Sequence, residues 1–165
     1  MSQSNTLEVD GERLWRTLER SAQIGRFRDT GLQRLTLSRE DKEMRDLYVS
    51  WVRDAGCTVE IDEVGNIFAR RPGRDNGLPP VAIGSHLDTQ ICGGRYDGVL
   101  GVMCGLEIVR SLNDRGMETL RPIELIMWTN EEGARFSPPL MGSLTFAGKL
   151  PVARVHDAKD DLTIG

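Results

Sequence analysis

The chain has 165 residues, a length suited to a single domain. Hydrophobic residues make up 39% and charged residues 28%, enough for a packed core and too balanced for wholesale disorder. A formal charge of -4 argues against a nucleic-acid-binding face, and no apolar run approaches the ~20 residues that span a bilayer.

The first residues, Met1-Ser2-Gln3-Ser4-Asn5-Thr6, lack the basic and apolar regions of a secretory signal, so the expected location is cytoplasmic. Residues 10–24 have helical spacing, with Asp10 as N-cap and Leu14, Leu18 and Ala22 on one face. Residues 25–37 read as a loop. A second helix follows, opened by a capping-box-like Ser38 and Asp41. Met44, Leu47, Tyr48, Trp51, Val52 and Ala55 form its apolar face, and Gly56 stops it. Residues 57–62 alternate as a strand, Val64-Gly65-Asn66 turns, and the chain resumes at Ile67, which predicts a hairpin. A Gly/Pro/Asp/Asn-rich loop spans 72–80.

Residues 80–84 form a short apolar run, expected as a buried strand. Residues 99–112 are apolar and helical, 123–128 form another buried strand, and 142–150 suggest a short helix. Strand, helix, strand in this order predicts a βαβ unit with a right-handed crossover, and hence an α/β fold. The polar tail from Val152 to Gly165 closes no predicted element. The sheet is therefore expected to be thin, with an uncovered edge, as in the first part of a larger domain. Cys57, Cys92 and Cys104 are odd in number and form no CxxC pair. They are expected to be reduced and mostly buried, and no histidine neighbours Cys92 to make it a nucleophile.

Three clusters carry chemistry: Gly84-Ser85-His86-Leu87-Asp88-Thr89, Gly93-Gly94-Arg95-Tyr96-Asp97-Gly98 and Trp128-Thr129-Asn130-Glu131-Glu132-Gly133. In open α/β sheets ligands bind beyond the carboxyl ends of strands, and His86 and Glu131-Glu132 fall just past such ends. One imidazole with several carboxylates is the ligand chemistry of a hydrolytic metal site. Asp88, two residues after His86, is placed to accept the proton of the ring nitrogen that does not bind metal. Asp97 precedes a helix on a glycine-rich loop, and a carboxylate there has two oxygens with which to bridge metals. Adjacent Glu131 and Glu132 push each other's pKa apart, favouring one ligand and one proton carrier. Each motif alone has a plainer reading. His-x-Asp is common, Gly-Gly-x-x-Asp-Gly is often a tight turn, and Glu-Glu often starts a solvated helix, here with Asn130 as N-cap. Arg135 could pair with Glu131 or Asp97, and His156 reads as a surface residue. The joint occurrence of the three clusters favours the metal hydrolase.

Together these clusters, with Glu63-Val64-Gly65-Asn66 and Met141-Gly142-Ser143, resemble the N-carbamoyl-L-amino-acid hydrolase and β-ureidopropionase branch of the M20 metallopeptidase-like amidohydrolases; allantoate amidohydrolases are close relatives. The resemblance runs from about Leu14 to the end. It implies the N-terminal part of a zinc-peptidase-like catalytic domain, with a mixed sheet flanked by helices. It also implies two divalent ions, zinc or manganese, with cobalt or nickel possible. By position His86 would bind one ion, Asp97 would bridge both and Glu132 would bind the second. Glu131 would be the general base, and Asp88 would orient His86. The implied substrate is a small ureido compound, the implied products are an amino acid, ammonia and carbon dioxide, and the implied assembly is a homodimer. Family members run to more than twice this length. Further histidine ligands, a substrate-clamping arginine and an inserted dimerisation domain are expected beyond Gly165, so weak or no activity is expected of these residues by themselves. Three alternatives stay open: an allantoate or related ureide hydrolase, an M20 aminoacylase or dipeptidase, and a non-enzymatic fragment or interaction module whose sheet edge pairs with a partner.

Overall fold

A computed structural model of the protein describes residues 8–160. Helix α1 spans Gly11–Ser21, β1 Arg26–Phe27, β2 Gly31–Leu32 and α2 Arg39–Asp54. Strands β3 (Thr58–Ile61) and β4 (Ile67–Arg71) precede β5 (Val81–His86), α3 (Val99–Asp114) and β6 (Ile123–Trp128). Two short helices, α4 (Met141–Phe146) and α5 (Val152–His156), end the described chain. The main sheet runs β3-β4-β6-β5. The β5–β6 pair is parallel and the other two pairs are antiparallel, so the sheet is mixed. No helix among the described residues is long and apolar enough to cross a membrane.

Local signals set the helix ends. Asp10 accepts the N–H of Arg13 and starts α1, and Ser38 accepts the N–H of Asp41 and starts α2. The carboxylate of Asp41 reaches back to the N–H of Leu37, one residue before the Ser38 cap. Alternation then decides which strand faces turn inward. Ile67 and Ala69 of β4 and Ile123, Leu125 and Met127 of β6 meet Met44, Tyr48 and Val52 of α2 and Val102, Met103, Leu106 and Val109 of α3 in one core. On the opposite face Phe68, Trp128 and Phe146 stack, with ring centroids 5.3–6.2 Å apart.

The hairpin, the helix after Gly98 and the β6 strand agree with the sequence. Other expectations do not hold. The first strand of the βαβ unit is not buried. Val81 is 53% exposed, because β5 pairs only with β6 and forms one edge of the sheet. Its apolar composition revealed a strand but not the number of its neighbours. The 25–37 loop contains the small β1–β2 ladder, joined to Gly93 by two backbone bonds of 2.9 Å from Leu32. The tail expected to close no element forms α5, and residues 161–165 of that tail lie outside the described residues. Only Cys57 of the three free thiols is buried; Cys92 is exposed.

Helix α1 is fastened to α3 by charge. Glu107, 2% exposed, accepts Arg13 Nε at 2.9 Å and Nη2 at 2.7 Å, Ser111 Oγ at 2.9 Å, and the backbone N–H of Asp10 at 3.1 Å. Burial pushes the Glu107 carboxyl up, but these donors outweigh it and hold the group below its usual value. A depressed carboxyl stabilises the fold above its unfolded pKa of ~4.3, and this contribution is lost as pH falls through the folded value. Arg13→Leu strands the buried carboxylate. It should cost on the order of 2–3 kcal/mol at neutral pH and move the acid-unfolding midpoint to higher pH, read by circular dichroism. The buried Tyr48 hydroxyl has no partner among the described residues, so Tyr48→Phe should be neutral or stabilising by up to about 1 kcal/mol in urea unfolding.

Candidate metal centre

His86 is the last residue of β5, and Glu131 and Glu132 follow the end of β6. Parallel pairing places His86 opposite Trp128, so both strands deliver their polar residues at the same end of the sheet. Donor atoms of His86, Glu131 and Glu132 all lie within 4.8 Å of one another. His86 Nε2 is 3.2 Å from Glu131 Oε2, while Nδ1 is 2.9 Å from the backbone carbonyl of Asp88. With Nδ1 donating to that carbonyl, Nε2 is free to serve as a ligand.

Asp88 is 1% exposed, and its carboxylate lies 3.7 Å from His86 Nδ1. The carboxylate instead accepts the backbone N–H of Glu131 at 3.3 Å and of Glu132 at 3.2 Å. Asp88 therefore touches His86 mainly through its carbonyl and ties the end of β5 to the loop after β6. Burial pushes its carboxyl up, and the nearby imidazole and the two N–H groups pull against that.

The Glu131 carboxyl is raised by burial first and then by Glu132, Asp88 and Asp97, with His86 pulling the other way. Four carboxylates around one imidazole leave an excess of negative charge that a divalent cation would relieve. The donor set suits zinc, manganese, cobalt or nickel. These residues fit a metal. Asp97 is exposed and stands outside the three-residue group, just before α3, close enough for its charge to act on Glu131. Glu132 Oε2 also accepts Gln90 Nε2 at 2.7 Å.

Two glycines bring α3 to this place. Gly101 lies on Ser85, where an added Cβ would come within 2.8 Å of the serine Cβ. Gly98 has φ +67° and faces the His86 ring, which an added Cβ would meet at 2.4 Å.

The loop carrying the two glutamates is not a helix. Asn130 does not cap one: it is fully buried with φ 51°, and its side-chain amide donates to the carbonyls of Phe136 at 2.7 Å and Pro138 at 3.2 Å. The loop closes on itself where Leu140, Met141 and Gly142 donate to Glu131, Asn130 and Thr129. Arg135 pairs with neither Glu131 nor Asp97; it binds Asp160 and the carbonyl of Thr36. His156 is exposed, with Nε2 2.9 Å from the Glu63 carbonyl.

Sequence reasoning missed the residues behind the loop. Asn66, read as part of a turn and of a family motif but given no role of its own, is fully buried. It accepts the N–H of Thr129 at 2.9 Å and donates to Asp62 at 2.8 Å and the Gly142 carbonyl at 3.2 Å. Arg45, paired with Asp41 at 2.8 Å, donates to the Gly65 carbonyl at 2.7 Å and to Thr129 Oγ1 at 3.3 Å. The available signal was a polar or charged residue adjoining an otherwise apolar pattern.

The profile of peptidase family M20/M25/M40 matches residues 82–163, the stretch that holds His86, Asp88, Asp97, Glu131 and Glu132. The chain belongs to this family. An N-carbamoyl-L-amino-acid amidohydrolase from Rhizobium meliloti is 47% identical over 152 residues, covering 92% of this M20 chain and 36% of the relative. A ureidoglycolate hydrolase from Oryza sativa subsp. japonica is 36% identical over 151 residues, covering 92% of this chain and 31% of the relative. The crystal structure of a hydantoinase/carbamoylase family amidase from Burkholderia ambifaria superposes with a TM-score of 0.93 at 54% identity, covering 95% of this chain and 39% of that one. The M20 chain thus spans about a third of the length of the curated relatives it matches.

Gly98→Ala forces a methyl group into the His86 ring and strains a left-handed backbone. It should lower stability by about 2 kcal/mol or more and shift the His86 imidazole signals in NMR, with those of His156 unchanged.

Proposed function

We propose that these residues carry part of the active site of a metal-dependent amidohydrolase that cleaves the ureido amide of N-carbamoyl-L-amino acids or N-carbamoyl-β-alanine. The observation that supports this most directly is the His86–Glu131–Glu132 donor group at the carboxyl ends of the parallel β5–β6 pair. The 47% identity to an N-carbamoyl-L-amino-acid amidohydrolase supports the substrate class.

In this reading His86 and Glu132 would hold divalent ions, zinc or manganese, and Asp97 would be a further carboxylate ligand. Bound there, the ions supply Lewis acidity that polarises the ureido carbonyl and acidifies water. Glu131 takes the proton of the attacking water and delivers it to the leaving nitrogen. Its raised carboxyl suits a group that must both accept and release a proton. Water adds to the ureido carbonyl and one C–N bond breaks, giving an amine and a carbamic acid; the carbamic acid then loses carbon dioxide, which breaks the second C–N bond and leaves the amino acid, ammonia and carbon dioxide. Asp88 holds the His86 ring through its carbonyl and the glutamate loop through its carboxylate.

The 550 Å³ cavity between α1, α2 and α3 and the 430 Å³ cavity beside Asn130 include none of His86, Glu131 and Glu132. We infer that further ligands and the substrate clamp lie outside the described residues. By the same family likeness the working protein is read as the homodimer of a two-domain enzyme, with residues 1–165 in its catalytic domain. Three free cysteines suit the reducing cytoplasm.

The second reading, a hydrolase of allantoate or a related ureide, draws on the 36% identity to the rice ureidoglycolate hydrolase. Ammonia release from N-carbamoyl-β-alanine, N-carbamoyl-L-methionine and allantoate, with zinc or manganese added, separates the readings. The assay belongs on the protein expressed from its whole reading frame. Glu131→Gln should lower kcat at least 100-fold, by loss of the general base. Turnover of allantoate alone would transfer the assignment to the second reading, and no turnover of any ureide would refute both.

A further inference from the structure

Arg34 is the largest wholly buried side chain among the described residues, and no carboxylate lies within ion-pair distance of it. A buried cation costs several kcal/mol of lost hydration, and an apolar side chain of similar size would avoid that. Burial pulls the guanidinium down to about 10, with the charges of Asp41 and Asp88 acting in the other direction, so it stays protonated at neutral pH.

Its hydrogen bonds go to two places. Nη1 donates to the carbonyls of Ser21 at 3.0 Å and Ile24 at 3.2 Å, which lie at the open C-terminal end of α1. Nε donates to the carbonyl of Leu87 at 3.0 Å. The Arg34 backbone continues the grip. Its N–H donates to Thr89 Oγ1 at 2.9 Å, and its carbonyl accepts the N–H of Thr89 at 2.9 Å.

The pattern singles out Asp88. A peptide unit is planar, so a bond to the Leu87 carbonyl fixes the plane that enters Asp88, and a bond to the Thr89 N–H fixes the plane that leaves it. Arg34 holds both planes, and with them the φ and ψ of Asp88. The second plane contains the Asp88 carbonyl that meets His86 Nδ1 at 2.9 Å, and the two torsions together aim the carboxylate at the N–H groups of Glu131 and Glu132.

We propose that Arg34 is a positioning residue for the metal centre: it locks the Leu87–Thr89 backbone to the end of α1 and thereby sets the tautomer and direction of the His86 ring. This rests on the reading of His86 as a metal ligand. Loss of a group that orients a ligand typically weakens metal binding 10–100-fold, whereas a merely structural role would lower stability and leave the imidazole unchanged.

The chain has two histidines, so the imidazole nitrogens of His86 are resolvable by ¹⁵N NMR, with exposed His156 as internal control. The test compares the 165-residue protein with Arg34→Met, Arg34→Lys and the remote core variant Val52→Ala, first without metal and then with zinc. The wild type should show His86 as a single Nδ1–H tautomer whose Nε2 signal responds to zinc. Arg34→Met should mix the tautomers and weaken zinc binding about ten-fold or more. Arg34→Lys, which keeps the charge but has a single donor nitrogen that cannot reach both carbonyl groups at once as the guanidinium does, should fall between. Val52→Ala should lose stability with His86 unchanged. Folded Arg34 variants with wild-type tautomer and wild-type zinc affinity would overturn the proposal; should Arg34→Met fail to fold, Arg34→Lys decides alone. If wild-type His86 ignores zinc both in the 165-residue protein and in the protein expressed from its whole reading frame, the metal reading fails instead, and the metal-free tautomer comparison still decides the role of Arg34.

Discussion

A carboxylate withdrawn from water must be given donors, and Asp88 finds two in the backbone N–H groups of Glu131 and Glu132. These bonds cross from the end of β5 to the loop after β6. They set the separation between the imidazole and the two acidic side chains before any ligand arrives. If the Asp88 carboxylate moved away, the loop would lose two anchors. The candidate centre is therefore a property of two backbone segments held in register, more than of three side chains that happen to meet.

Successive supports stand behind that link. Arg34 fixes the peptides on either side of Asp88 from the α1 side. Asn66 and Arg45 fix Thr129 from the hairpin and α2 side. All three are wholly or largely buried, and each donates to or accepts from backbone, which moves less than a side chain. Gly98 and Gly101 allow α3 to close on His86 and Ser85 with no Cβ in between. The core of α2, α3 and the sheet keeps these parts at fixed distances.

Electrostatics gives this arrangement a direction. Glu131, Glu132 and Asp88 gather near one imidazole with Asp97 standing further off, and the raised Glu131 carboxyl records first its burial and then their repulsion. A site built this way favours cations and holds the Glu131 carboxyl above its usual value. Two other charged clusters do different work. Arg13 and Glu107 cancel each other and fasten helices, and Asp41 and Arg45 join α2 to the loop after β6.

Much of this was legible in the sequence. Period-2 and period-3.6 patterns marked the hairpin, α1, α2, α3 and β6, because burial of one face imposes those periods. The ends of the apolar runs marked His86, Glu131 and Glu132, because strands of a parallel pair present their carboxyl ends together. What the sequence by itself determined was thus the element order, the α/β class and the residue types at the strand ends. Only the tertiary structure decided that β5 is an edge strand, that Asp97 stands apart from the three clustered donors, and that Asp88 meets His86 through its carbonyl. It also revealed the supporting roles of Arg34 and Asn66, one read as part of a loop and the other as part of a turn. The physical reason is that local pattern reports how one segment divides its faces, whereas most of these facts depend on partners 43–63 residues away along the chain, such as Asn66 with Thr129, Arg34 with Leu87 and Asp88 with Glu131.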